Sequence, residues 1–431
     1  MAAPSFLRRL LGGRPQGIER STQDLVALCD ALLAERAEFA GAALARDALL
    51  AYQRLDERCR EEFFEVLARA YSPSPEIVGS AADAYRADPS TANLLNLQQT
   101  VEPARQELFR RLNMAPGGTA ALVDMRKILL GQLAEKPQWR AIDADLLHLL
   151  RSWFNRGFLR LERIDWRTSA AVLEKLIEYE AVHAIQGWRD LRRRLESDRR
   201  CFAFFHPQLP DEPIIFIEVA LTRGMSAHVQ PLLDFQAPLG SAQGADCAMF
   251  YSITNCQEGL RGISFGNLLI KQVAEVLKRE FPHLRRFATL SPAPGFRRWL
   301  AQAQVPEDNA SALLRRLEDP AWHLGEVPEA LEKLLLRLCA HYLVHEKHGV
   351  EPLDPVARFH LANGASLDRL NWMGDTSEQG IARSAGLMVN YVYWLAEVER
   401  NHDQYFREHV VVASPHAEKL ARDGAQALAG K

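Results

Sequence analysis

Apolar residues at Leu25, Leu28, Cys29 and Leu32 recur at i, i+3, i+4 and i+7 behind a polar Ser21-Thr22 start, the spacing of an amphipathic helix. The same stripe returns at Leu94, Leu97 and Val101 and at Leu122, Met125 and Leu129, punctuated by turn signals at Ala87-Asp88-Pro89-Ser90 and Pro116-Gly117-Gly118. Residues 21–150 therefore predict an all-α bundle. After Phe154-Asn155-Arg156-Gly157 the texture changes: Cys201–His206, Pro213–Leu221, Ala248–Thr254 and Arg286–Leu290 read as strands, with helical patterns at Gly266–Glu280 and Ala330–His345. The pattern predicts two domains, an N-terminal helical bundle over residues 1–152 and an α+β domain over 153–431.

Composition narrows the class. The 431 residues are 48% hydrophobic and 25% charged, with 52 Lys plus Arg against 55 Asp plus Glu, so an anionic ligand has to be met by a local patch. No apolar run reaches the length of a membrane span. The six cysteines are scattered without a C-x-x-C pair, which favours a reducing compartment over a disulfide framework or zinc knuckle. The basic start with Arg8, Arg9 and Arg14 reads as a frayed terminus or, less simply, a transit peptide. The Arg189, Arg192, Arg193, Arg194, Arg199 and Arg200 cluster, interleaved with acids and lacking a stacking motif, reads as a solvated helical face and not a nucleic-acid site. His341, His345 and His348 share helical spacing, but the order is not H-E-x-x-H, and no metal is expected.

Three segments can carry chemistry. Ala248–Glu280 reads strand, Gly-bearing loop, amphipathic helix, which directs backbone N–H groups at a helix start and suits a pyrophosphate; a tight turn with Gly caps reads equally well. Ser291 stands at a strand end, stiffened by Pro292 and Pro294, either as a turn serine or as a hydroxyl held in a defined direction. The G-x-S-x-G elbow of a nucleophilic serine is absent. His360, between Phe359 and Leu361 before an Asn363-Gly364 turn, is either a core histidine or a proton donor and acceptor near neutrality.

The loop Arg261-Gly262-Ile263-Ser264-Phe265-Gly266 resembles the coenzyme A pyrophosphate loop of the GNAT acetyltransferases, with Ser264 where a Gly is usual. Taken in order, LRGISFGNLLIK, LSPAPGF, DPVARFHLANGA, NWMGDTSEQGI and LMVNYVYWL closely resemble the malonyl-CoA decarboxylase family, from about Leu150 to Leu395. The resemblance implies a helical domain followed by a GNAT-like α+β domain. It implies conversion of malonyl-CoA to acetyl-CoA and carbon dioxide without metal or organic cofactor, and a homo-oligomer assembled through the helical domain. It also implies Ser291 and His360 as the active-site pair and Arg261, Gly262, Ile263, Ser264, Phe265, Gly266 and Asn267 as the coenzyme A site. Some members have Glu where this chain has Ser264, so any role of that Glu does not transfer. Tyr393 matches a tyrosine near the family's site, although Leu387, Tyr391, Trp394 and Leu395 also form a helical stripe. Phe359 or Phe296 is expected to supply an apolar wall. The ending Leu428-Ala429-Gly430-Lys431 lacks the Ser-Lys-Leu address of peroxisomal relatives, so a cytoplasmic location is expected. Two other readings stay open: an acyl-CoA-dependent N-acetyltransferase, which needs an amine acceptor, and a non-catalytic acyl-CoA-binding scaffold.

Overall fold

The computed structural model describes residues 19–263, 269–305 and 309–429. They form two compact units. One takes the chain up to Leu159 together with His206–Glu212 and the run beginning at Gln257, and so extends past the linear boundary expected at 152. The other takes Arg160–Phe205, Pro213–Cys256 and the chain from residue 269 onward.

The first unit is helical. Leu25, Cys29 and Leu32 are buried on the Arg20–Ala34 helix, and Leu122, Met125 and Leu129 on Gly118–Gln132, as their spacing requires. Trp139 is fully buried against Phe64, with ring centroids 5.1 Å apart, and its indole N–H donates to Glu65 Oε1 at 2.9 Å. The third stripe differs. Helix Thr91–Val101 forms but buries none of its residues, because periodicity selects a helix without selecting what covers its apolar face.

The second unit is α+β. The eight described sheet strands are β1 (Arg160–Ile164), β2 (Arg199–His206), β3 (Leu209–Thr222), β4 (Cys247–Asn255), β5 (Arg286–Thr289), β6 (Ser291–Pro292), β9 (Ser366–Asn371) and β10 (Met388–Val392). A separate hairpin holds β7 (Lys347–His348) and β8 (Glu351–Pro352). The sheet runs β1-β2-β3-β4-β5-β10-β6, with β9 also paired to β10. β4 and β5 pair in parallel, and between them in sequence comes the helix Leu269–Glu280, which buries Leu269, Ile270, Val273, Ala274 and Leu277. All four strands expected from the pattern are present, and no described helix is long and apolar enough to cross a membrane.

Three sequence expectations are corrected. The stripe Leu387, Tyr391, Trp394 and Leu395 does not lie on a helix: Met388–Val392 is a strand paired with β9, because alternating Val and Tyr suit a pleated, doubly covered surface. The arginine cluster is not uniformly solvated. Arg193 and Arg194 are buried in ion pairs with Asp198, Asp190 and Glu218, and Arg200 with Glu280, while Arg189 and Arg192 face solvent. His348 lies in β7, beyond the end of the Glu329–Val344 helix, so the three histidines do not share a helical face.

Candidate active site

Strands β4 and β5 pair through Phe250↔Thr289 and then part. β4 continues to Asn255, whereas the chain after β5 breaks at Leu290 and resumes as β6, paired to β10 through Val389↔Ser291 and Met388↔Pro292. A cavity of about 270 Å³ opens beyond the split, lined by Val182, Phe250, Tyr251, Ser252, Ile253, Asn255, Leu290, Ser291, Pro292, Pro355, Val356, Phe359 and His360. Splitting a parallel pair leaves a crevice past the carboxyl ends of its strands, where α/β proteins commonly place ligands.

His360 reaches this crevice from the short helix Pro355–Ala362. Asp354 starts the helix: its Oδ1 accepts the N–H groups of Val356 and Ala357, both at 2.9 Å, and Pro355 presets the first turn. Tyr342 donates its hydroxyl to Asp354 Oδ2 at 3.2 Å. Burial pushes the Asp354 carboxyl upward, opposed by these hydrogen bonds.

Ser291 Oγ lies 2.9 Å from His360 Nε2. The other ring nitrogen, Nδ1, lies 2.9 Å from the Tyr393 hydroxyl. Tyr391 stacks on the imidazole, with centroids 4.7 Å apart and planes 27° apart. Two residues apart across a strand end, Tyr391 and Tyr393 both reach the same ring, which the helical spacing would not allow. Ser291 donates its hydroxyl to Thr289 Oγ1 at 3.0 Å. His360 is 3% exposed, and burial pushes its pKa down to about 3, so the ring is neutral near pH 7. Burial likewise holds the Tyr393 phenol far above its ordinary value. A buried serine, a neutral imidazole and a protonated phenol in one hydrogen-bonded row can relay a proton, the ring gaining at one nitrogen what it gives from the other.

The expected site residues thus fall into two groups. Ser291, His360 and Tyr393 are joined in one row. Phe359 lines the cavity, but Phe296 does not: it is buried against Trp299 and Tyr342. Arg261 and Gly262 are exposed and Ile263 is buried; Gly262 has φ +80°, a conformation that favours glycine. Ser264, Phe265, Gly266 and Asn267 lie outside the described residues.

The run from Gln257 to Ile263 is built onto the helical unit. Arg126 Nη1 donates to the carbonyls of Gly259 at 2.7 Å and Arg261 at 2.8 Å, and its Nε pairs with Asp143 at 2.7 Å. A Cβ on Gly259 would clash with the Val123 carbonyl oxygen, so only glycine fits. Sequence reasoning missed Arg126, Thr289 and Asp354. The last two had local signals, an i, i+2 relation to Ser291 and an Asp-Pro helix start. Arg126 had none, because its partners are 133 and 135 residues away.

The chain is similar to known proteins along most of its length. Residues 157–430 match the model of the malonyl-CoA decarboxylase C-terminal domain and residues 71–154 that of its N-terminal domain. The mitochondrial malonyl-CoA decarboxylase of Anser anser anser is 38% identical over 343 residues, covering 72% of this chain and 68% of that protein. That of Rattus norvegicus is 37% identical over 350 residues, covering 74% and 71%. The crystal structure of malonyl-CoA decarboxylase from Rhodopseudomonas palustris superposes with a TM-score of 0.90 at 48% identity, over 93% of this chain and 100% of that one. The enzyme from Agrobacterium vitis gives 0.86 at 46% identity, over 92% and 99%. Family models matched over residues 71–154 and 157–430, with relatives 37–38% identical over most of the chain, make this protein a member of the malonyl-CoA decarboxylase family.

Proposed function

We propose that this chain converts malonyl-CoA to acetyl-CoA and carbon dioxide through an enolate, with Ser291 and His360 as the active-site pair. The observation that carries the reading is the 2.9 Å Ser291–His360 contact on the wall of the split-strand cavity. The bond between the α-carbon and the carboxylate breaks, its electron pair moves into the thioester carbonyl as an enolate, and carbon dioxide leaves. One proton must then reach the α-carbon. Ser291 delivers it and recovers a proton from His360 Nε2, which in turn draws on the Tyr393 hydroxyl at Nδ1; solvent restores the proton to the row. A neutral ring relays well because it gains at one nitrogen what it loses at the other. Val182, Phe250, Leu290 and Phe359 provide an apolar wall that favours neutral carbon dioxide over the carboxylate it replaces.

The coenzyme A pyrophosphate is assigned to the loop of Arg261, Gly262, Ile263, Ser264, Phe265, Gly266 and Asn267, with Arg261 as its cation. Homo-oligomerisation through the helical unit is part of the reading. It is supported by helices Pro75–Ala87 and Thr91–Val101, which bury only Ala81 between them and expose Ile77, Leu95 and Val101.

Incubation with malonyl-CoA and no acceptor tests the activity. Acetyl-CoA and carbon dioxide should appear in equal amounts. Acetyl transfer that needs an added amine, or tight coenzyme A binding with no turnover, refutes it in favour of a transferase or a scaffold.

A further inference from the structure

Thr289 closes β5 and is fully buried, and its hydroxyl oxygen stands at a junction of two strands. It accepts the Ser291 hydroxyl at 3.0 Å and the Tyr391 backbone N–H at 3.2 Å. The Tyr391 bond bridges the break between β5 and β6, where β10 has no residue of either strand paired opposite it; Asn390 completes the bridge by donating its side-chain amide to the Thr289 carbonyl at 2.7 Å. The Ser291 bond has a different consequence. A serine hydroxyl carries one proton, so if that proton points at Thr289 it cannot also point at His360. The 2.9 Å contact between Ser291 Oγ and His360 Nε2 is then made by the ring N–H, and Nδ1 is left to accept from Tyr393. Each link dictates the next, and His360 and Tyr393 are 3% and 1% exposed.

We propose that Thr289 is a positioning residue that, by accepting the Ser291 hydroxyl, holds His360 as its Nε2–H tautomer and gives the Tyr393–His360–Ser291 row a single direction toward the cavity. The inference rests on the proposed chemistry of Ser291 and His360. In that chemistry Ser291 must keep a proton to give. With Nε2–H donating into it, the serine oxygen cannot pass its proton to the ring, and rotation about Cβ–Oγ exchanges Thr289 for the substrate carbon as the target. The opposite direction, serine donating to Nε2, is the one used to make serine a nucleophile, and it would turn this site toward attack on the thioester. The balance closes over a full turnover: the α-carbon gains the Ser291 proton, Ser291 the Nε2 proton and Nδ1 the Tyr393 proton; once product leaves, solvent in the cavity protonates Ser291 as the row shifts back, the serine proton to Nε2 and the Nδ1 proton to Tyr393, which restores the Nε2–H tautomer.

The test is 15N NMR of the full-length protein labelled at histidine, alongside steady-state kinetics, for the wild type, Thr289→Val and Thr289→Ser. The wild-type His360 ring should show a protonated Nε2 and an unprotonated Nδ1. Thr289→Val keeps the shape and removes the acceptor, so the N–H should move to Nδ1 and kcat should fall on the order of 10²-fold at little-changed KM. Thr289→Ser should restore both the ring signature and kcat, which a purely structural role for the side chain would not predict. A wild-type ring protonated at Nδ1 overturns the proposal, and so does Thr289→Val with an unmoved tautomer or with a moved tautomer and kcat within twofold of wild type. Should Thr289→Val fail to fold, the wild-type signature and Thr289→Ser still decide. Full turnover in Ser291→Ala and His360→Ala would instead remove the catalytic reading itself, while the ring signature reports on Thr289 independently.

Discussion

Replacing Arg126 with Met should loosen the loop from Gln257 to Ile263 from the helices that carry it, while keeping most of the aliphatic stem that packs there. Arg126 is 2% exposed, and its guanidinium makes one ion pair and two carbonyl hydrogen bonds, at 2.7, 2.7 and 2.8 Å. Removing one partner of a buried pair costs about 3–5 kcal/mol, and each buried acceptor left unmet adds about 1–3. Asp143 keeps 19% of its side chain in contact with solvent, and the loop can turn its carbonyls toward water. The lower end, about 3 kcal/mol, is therefore expected, or a fall in melting temperature of roughly 6–12 °C. Because Arg261 and Gly262 sit on this run, coenzyme A binding should weaken by about tenfold, the equivalent of about 1.4 kcal/mol. Thermal denaturation and titration calorimetry with coenzyme A measure the two effects. Arg261→Ala separates them: its side chain is exposed, so it should weaken binding and leave the melting temperature alone. An Arg126→Met protein that melts within 2 °C of wild type, roughly 1 kcal/mol or less, and binds coenzyme A unchanged would refute the argument.

Ser291→Ala and His360→Ala should each lower kcat by about 10²–10⁴-fold while leaving the dissociation constant for coenzyme A near wild type; normal turnover in either variant would remove that residue from the chemistry. Tyr393→Phe leaves His360 Nδ1 buried without its 2.9 Å partner, so the urea midpoint should reflect a loss of about 1–3 kcal/mol and kcat should drop as well, and no change in both quantities contradicts the relay. Acid should unfold the protein partly through His360. Its folded pKa is pushed down to about 3 by burial against an ordinary 6.5, so between these values the unfolded chain binds a proton that the folded chain does not. The contribution is present above pH 6.5 and is lost as pH falls toward 3; a His360→Gln variant should show a shallower decline in that window, and an identical pH profile would argue against a neutral buried ring.

How much of this was legible before the fold can be judged from particular residues. The stripe at Leu25, Cys29 and Leu32 is read correctly because helix packing is local: three residues within two turns share a face whatever lies opposite. The stripe at Leu387, Tyr391 and Trp394 is misread because the same letters satisfy two periods, and the choice falls to β9, which pairs with β10 along its whole length. The arginines at 193, 194 and 200 are misread because charge in a sequence carries no burial; Glu218 and Glu280, which take two of them inside, come from β3 and a distant helix.

By itself the sequence determined the α-then-α+β order, the four strands of the sheet centre and, through the order of its motifs, the family. Those depend on short-range periodicity and on the succession of segments. Only the tertiary structure decided that Thr289, Ser291, His360 and Tyr393 form one hydrogen-bonded row, that β4 and β5 part at Phe250 to open a cavity, and that a helical arginine holds the loop before residue 264. Hydrogen bonds between residues 33 to 135 positions apart depend on how the chain returns upon itself. A residue's neighbours along the chain do not encode that return, and the direction in which a proton points exists only once the partners have met.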